Sequence, residues 1–490
     1  MLPGFTAAAQ QNDQGLAITT EVEAIPRTEV ESSLEDAAPD TLHFGQISKR
    51  ELDQRLRYAR TRHRIQFVEP PPQWTSTSRI EIVAEFDQYP MVTFLLPLVN
   101  AACVARMPAM DSSFANSFSS REIVEAIMRW AAVESPSVTP DAVARMFDLA
   151  EADFRAAGAT IERTAASSGA PVMRASFAGR GDGPGILVLG HLDTVHPVGT
   201  IDDGLKLHID GDRLYGPGVL DMKGGICLAL HALRRLRAEA GDPPLPVTFL
   251  MIPDEEIGSP GTRALIEAEA RRHRCVLVPE PARQGKVITG RHAFARYRLT
   301  TRGRPAHAGA DNRAGRSAIR AMARLVETIE SATDMDRLVS FSVGVIQGGL
   351  FVNVIPIQCT AEVLCVASSR ENLAFVHDFM AGLASPIEGV TLEVERGPER
   401  PLFEPSEGTM RLYAHAAAAA GEIGIALEHG TFGGGSDGNF TGALGIPTLD
   451  GLGAVGAGVH TLEEHVLISE LAPRARLFAG LLAGLEGDDR

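Results

Sequence analysis

Histidines and acids recur in this 490-residue chain directly after short apolar runs, where a strand would end and a site begin. His191 follows the run 185–190 and lies in Gly190-His191-Leu192-Asp193-Thr194-Val195. Asp221 follows Gly216-Pro217-Gly218-Val219-Leu220, Glu255 and Glu256 follow the run 247–252, and Glu280 follows 275–278 between Pro279 and Pro281. His460 closes the glycine-rich stretch 451–460. Asp221, Glu256 and Glu280 carry three negative charges, and a bridging hydroxide would add a fourth. Two Zn²⁺ ions would balance them, with His191 and His460 as neutral ligands, and a partly buried cluster needs that neutrality. If one carboxylate, such as Asp221, bridged the ions, each would have four ligands, which suits zinc. Glu255 would be left over beside the water, where a general base belongs. Asp193, two residues past His191, is placed to orient that imidazole. No HExxH segment is present, and Gly-Pro-Gly before Asp221 also reads as a turn with an aspartate helix cap. Spacing alone therefore leaves a metal site and a structural reading both open.

The elements that must position these residues are legible as patterns. Buried strands over 185–190, 247–252 and 275–278, with a helix over about 221–239, imply an α/β layer with a covered sheet and ligands at strand ends. Helices are expected near 120–130, capped by Ser119 or Ser120, and over about 140–157. From 290 to 398 the order changes to strand 295–301, helix 314–332, strands 338–347 and 354–366, helix 370–384 and strand 390–395. That βαββαβ order is ferredoxin-like. The expected organisation is a first α/β part at 111–289, an inserted α+β domain at 290–399, and a return to the first domain at 400–490.

Composition narrows the partners. Hydrophobic residues make up 44% and charged residues 22%, as in ordinary globular proteins. The net charge of −16 argues against a nucleic-acid partner. Five widely spaced cysteines without CxxC exclude a cysteine–zinc site and argue against a disulfide framework. No run of about 18 apolar residues predicts a membrane span, and residues 1–20 lack a signal pattern, so a cytoplasmic location is expected. Residues 1–110 are polar and aperiodic in large part. Weak order is expected there, or a true translation start at Met107 or Met110.

The constellation resembles the di-zinc hydrolase family of aminoacylase, acetylornithine deacetylase, succinyl-diaminopimelate desuccinylase and carboxypeptidase G. GHLDTV (190–195), GPGVLDMKGG (216–225), PDEEIGS (253–259), PEP (279–281), RPAHAGA (304–310), GGGSDGNF (433–440) and GLGAVGAGVH (451–460) carry the likeness, which spans about 115–485. It is nearest the glutamate-carboxypeptidase branch. The resemblance implies a zinc-peptidase-like domain with a mixed sheet, interrupted by a ferredoxin-like dimerisation lid, which would make 111–289 and 400–490 the two catalytic parts and 290–399 the lid. It implies that His191 and Glu280 hold one zinc, Glu256 and His460 the other, that Asp221 bridges, and that Asp221–Met222 is cis. Cobalt or manganese would suit the same donors. Glu255 would be the general base, and His307 would reach the partner subunit's site in a homodimer. Asn353, Arg400 and Ser436 are candidate substrate contacts. The implied reaction is cleavage of an amide or peptide bond beside a free carboxylate, in a small molecule or peptide. N-acyl amino-acid deacylation or dipeptide cleavage remains an alternative, and a non-catalytic zinc-binding dimer a remote one. One departure stands out. Many relatives carry Asp-x-Arg on the lid strand after the asparagine, whereas 361–366 here reads Ala-Glu-Val-Leu-Cys-Val.

Overall fold

The computed structural model describes residues 118–486, together with the backbone of five strands nearer the N-terminus. Those strands form an antiparallel pair, Ala8–Asn12 with Gly15–Thr19, and a three-stranded sheet in the order Gln66–Phe67, Arg79–Phe86, Tyr89–Pro97. Beyond these strands, the weak order expected over 1–110 lies outside the described residues.

A six-stranded mixed sheet carries the larger core. Its order is Thr448–Leu449, Cys275–Leu277, Ile186–His191, Val247–Ile252, Pro171–Phe177, Thr160–Ala165. The first four run parallel, and the last two are antiparallel to their neighbours. Ile186–His191 and Val247–Ile252 are buried at every residue, which is why both read as unbroken apolar runs. In register Ile252 pairs with His191, so the loops after both strands open at one edge. Helices cover the sheet, among them Ser120–Ala131, Pro140–Ala156, Lys223–Ala240 and Ile468–Gly484. Ser119 caps the first by accepting the Glu122 N–H. The Lys223–Ala240 helix starts two residues after Asp221 and packs hard against the next strand end. A Cβ on Gly225 would stand 1.8 Å from the Pro279 carbonyl oxygen, so only glycine lets the loops of Asp221 and Glu280 approach so closely.

The chain leaves this layer after Cys275–Leu277 and builds a second one before Thr448–Leu449 returns beside it. The second sheet is antiparallel, in the order Val339–Gly348, Gln358–Ala367, Ala293–Arg302, Thr391–Arg400. Helices Ala318–Glu330 and Arg370–Ala381 complete the ferredoxin-like βαββαβ. Leu299, Met322, Phe341, Val363 and Val376 centre a separate core. The last strand runs farther than its apolar pattern predicts. It passes Gly397 and Pro398 through a register shift and ends at Arg400. An edge strand tolerates this, because a proline there interrupts no ladder on its free side and a bulge absorbs the extra residue. The strand expected from 354 begins only at Gln358. Among the described residues no helix is long and apolar enough to cross a membrane.

Candidate metal centre and substrate cleft

Three strand ends of the six-stranded sheet, carrying His191, Glu256 and Glu280, and the connection between the antiparallel strands Gly456–Ala457 and His465–Leu467, carrying His460, meet around Asp221. Its Oδ1 lies 3.3 Å from His191 Nε2 and its Oδ2 lies 3.0 Å from His460 Nε2. Glu280 Oε1 stands 3.6 Å from His191 Nε2, and Glu256 Oε2 stands 3.0 Å from His460 Nε2. Each imidazole thus faces one carboxylate of its own and shares Asp221 with the other. Donors about 2.0–2.1 Å from one tetrahedral ion stand about 3.3 Å apart, and these separations straddle that value. The Asp221–Met222 peptide is cis.

The donors also suit a cation electrostatically. Burial and the nearby Asp221 raise the Glu280 carboxyl and push that of Glu256 up to about 7. Such crowding of acids calls for positive charge among them. His191 Nε2 and Glu256 Oε1 are buried without a hydrogen-bond partner, and both belong to the cluster. His191 Nδ1 lies 3.0 Å from the Asp193 carbonyl oxygen. Donation to that carbonyl selects the tautomer whose Nε2 lone pair points into the cluster.

Asp193 does more than orient an imidazole. Its carboxylate accepts the backbone N–H of Glu255 at 3.2 Å and of Glu256 at 3.1 Å, and the Ser137 hydroxyl at 2.6 Å. One acid therefore ties the strand end of His191 to the turn that carries the acidic pair. The two neighbours on that turn diverge. Glu256 faces His460, while Glu255 Oε1 accepts a 2.6 Å bond from Arg400. Burial raises the Glu255 carboxyl well above its ordinary range, against the pull of Arg400.

The expected substrate contacts divide three ways. Arg400 lines the cleft, but its guanidinium is shared between Glu255 and Asp437, the latter at 2.8 Å. Ser436 is fully buried and turned away; its hydroxyl donates to Asp450 at 2.5 Å. Asp450 in turn binds Arg291 through both oxygens, and Arg291 donates to the Gly434 carbonyl at 2.7 Å. This network holds the glycine-rich turn whose Gly434 and Gly435 line the cleft. His307 and Asn353 come together at the lid tip, where Ala308 N–H donates to the Asn353 carbonyl at 2.9 Å. Both are exposed, and neither lines the cleft of its own chain.

That cleft encloses about 510 Å³ between the metal-site loops and the base of the lid sheet. Two arginines that pattern reading did not single out, Arg283 and Arg296, line it together with Phe294 and Leu364. Neither arginine forms a salt bridge among the described residues, although Arg296 donates to the Ile257 carbonyl at 2.9 Å. Leu364 pairs directly with Arg296 across the lid sheet. At the level of the apolar Leu364 the lid sheet therefore carries its cation on the neighbouring strand. Glu464 was also not singled out. Apart from His196, its side-chain partners are the backbone N–H groups of Gly218, Leu220 and Asp221, which leave no mark in a residue pattern.

A covered mixed sheet, an inserted ferredoxin-like layer and an acid–imidazole cluster at the strand ends define a metal-dependent hydrolase. The chain belongs to Peptidase family M20/M25/M40, whose family pattern matches residues 187–484. Carboxypeptidase G2 of Pseudomonas sp. (strain RS-16) is 29% identical over 375 residues, covering 74% of this chain and 89% of that one. Succinyl-diaminopimelate desuccinylase of Paracidovorax citrulli (strain AAC00-1) is 30% identical over 356 residues, covering 68% and 86%. Among solved structures, human carnosine dipeptidase 1 shares the fold with a TM-score of 0.62 at 17% identity, over 77% of this chain and 99% of that chain. Aminopeptidase PepT of Bacillus cereus ATCC 10987 does so with a TM-score of 0.60 at 22% identity, over 75% and 99%. The chain is thus an enzyme that hydrolyses peptide or amide bonds.

Proposed function

We propose that the enzyme uses two zinc ions to cleave an amide or peptide bond beside a free carboxylate, in the manner of a glutamate carboxypeptidase. The observation that carries this reading is Asp221, whose two oxygens face His191 at 3.3 Å and His460 at 3.0 Å. His191 and Glu280 would hold one ion, Glu256 and His460 the other, and Asp221 both. Bound there, the metal would supply a water acidic enough to lose its proton near neutral pH and a Lewis acid for the scissile carbonyl. Cobalt or manganese would serve the same donors.

Glu255 takes that proton and returns it to the departing amine. Arg400 holds its Oε1 and so fixes the carboxyl's orientation, leaving Oε2 for the transfer. With Arg400 so engaged, Arg283 and Arg296 are the cations that receive the substrate's carboxylate, while Phe294 and Leu364 offer an apolar wall. The acceptance of Gly309 and Ala310 N–H by His307 Nδ1 leaves Nε2–H as a donor for the developing oxyanion of the partner subunit's substrate. Pairing of lids in a homodimer is supported by the apolar tip beside Asn353, where Leu350 is 89% and Phe351 70% exposed.

Metal content and turnover test this together. About two zincs per chain, with hydrolysis of peptidyl glutamates lost on chelation and restored by zinc, is the expected result. Preference for N-acyl amino acids or dipeptides would move the substrate to the deacylase or dipeptidase reading with the chemistry unchanged. Folded protein with no metal and no turnover would leave a non-catalytic dimer.

A further inference from the structure

Glu464 is 99% buried, with a relative exposure of 1%, four residues beyond His460. Its Oε1 accepts the N–H of Leu220 at 2.9 Å and of Asp221 at 3.0 Å. Its Oε2 accepts the N–H of Gly218 at 3.1 Å and lies 3.2 Å from His196 Nε2. Its carbonyl accepts the Gly216 N–H at 3.3 Å. One residue of the His460 loop therefore satisfies four backbone donors of the turn that ends in Asp221.

The need for such a tie is visible at His460. Its side chain is 51% exposed, and its backbone is left-handed at φ +64°. The imidazole touches Asp221 and Glu256, but its own loop offers it little packing. The position of that loop therefore sets how closely His460 approaches the shared carboxylate, now 3.0 Å away. A carboxylate is the group suited to the tie, because it carries no donor and its charge strengthens every N–H it accepts. A glutamine in its place would set an NH₂ against at least one of those N–H groups.

We infer that Glu464 is a positioning residue for the metal centre: it locks the His460 loop to the Asp221 turn and so sets the shared carboxylate between the two imidazoles. The inference rests on the two-ion reading proposed above.

The test uses the full chain and zinc alone as probe. Zinc affinity is measured by competition with a chelator of known strength for wild type, Glu464→Gln, Glu464→Asp and the exposed neighbour Glu463→Gln. Melting of the metal-stripped proteins is recorded alongside. Glu464→Gln should bind zinc about 10–100-fold more weakly than wild type, as loss of a group that orients ligands does. Glu464→Asp, which keeps the charge, should recover part of the loss, and Glu463→Gln should match wild type. With any substrate the enzyme turns over, kcat of Glu464→Gln should fall more than KM rises, and excess zinc should restore part of it. A Glu464→Gln protein that melts lower but binds zinc as wild type does would make Glu464 a strut of the fold and overturn the inference. So would failure of both Glu464 variants to fold. Wild type that binds no zinc would overturn the two-ion reading as well, whereas equal binding by wild type and Glu464→Gln overturns the clamp alone.

Discussion

Arg400, the last residue of the lid sheet, donates to Glu255 Oε1 at 2.6 Å and to the Glu255 carbonyl at 2.8 Å. The ferredoxin-like sheet is thereby bonded to the acid turn beside the acid–imidazole cluster. Asp437 takes the other arm of the guanidinium at 2.8 Å, and the Ser259 hydroxyl donates to the same Asp437 oxygen. Arg400→Ala leaves two buried acids without their cation. A loss of about 3–5 kcal/mol in unfolding free energy is expected, because breaking a buried pair from one side strands the other charge. Denaturant titration measures it; a change below 1 kcal/mol would contradict the pairing.

Glu255→Gln separates proton transfer from metal binding. The variant should retain zinc, since Glu255 faces Arg400 rather than either imidazole. Its kcat should fall by about 10²–10⁴, the share a positioned base commonly supplies. Retained activity would assign the base elsewhere.

Arg283→Ala and Arg296→Ala probe the substrate's charge. Each removes a cation that lines the cleft without a salt bridge among the described residues. Loss of a charge-assisted bond of about 1.5–3 kcal/mol corresponds to about a 10–100-fold fall in kcat/KM for carboxylate-bearing substrates. The amidated form of the same substrate should be nearly insensitive. Equal effects on both forms would point to packing instead.

His307 in trans predicts complementation. His307→Ala and Glu255→Gln, each inactive alone, should regain turnover when mixed and allowed to exchange subunits. In a two-fold dimer one site of each heterodimer is then intact, which gives about one quarter of wild-type sites in an equal mixture. No recovery despite proven exchange would place His307 outside the partner's site.

Metal removal should also register as stability. Zinc held at about 100 times its dissociation constant stabilises the native chain by about 2.7 kcal/mol, so chelation should lower the melting temperature and zinc should restore it. Identical melting with and without chelator would argue against a bound ion.

The sequence by itself determined which residues stand at strand ends and which layers carry them. His191 and Glu280 were legible because the runs before them are apolar at every position, as strands covered on both faces must be. The lid's βαββαβ order was legible because its apolar spacing switches between two and 3.6 residues. Which way side chains turn, and what they meet, was decided only by tertiary structure. Ser436 sits in a segment that reads as cleft, yet it faces Asp450, because Arg291 and Asp450 claim the inner side of that turn. Arg400 reads as a free cation, yet a bulge at Gly397 and Pro398 carries the edge strand far enough to lay it against Glu255. Glu464 meets backbone groups 243 to 246 residues away, and a backbone N–H looks alike in every residue but proline. Apolar periodicity encodes which face of an element is buried, whereas a polar network depends on where distant elements come to rest.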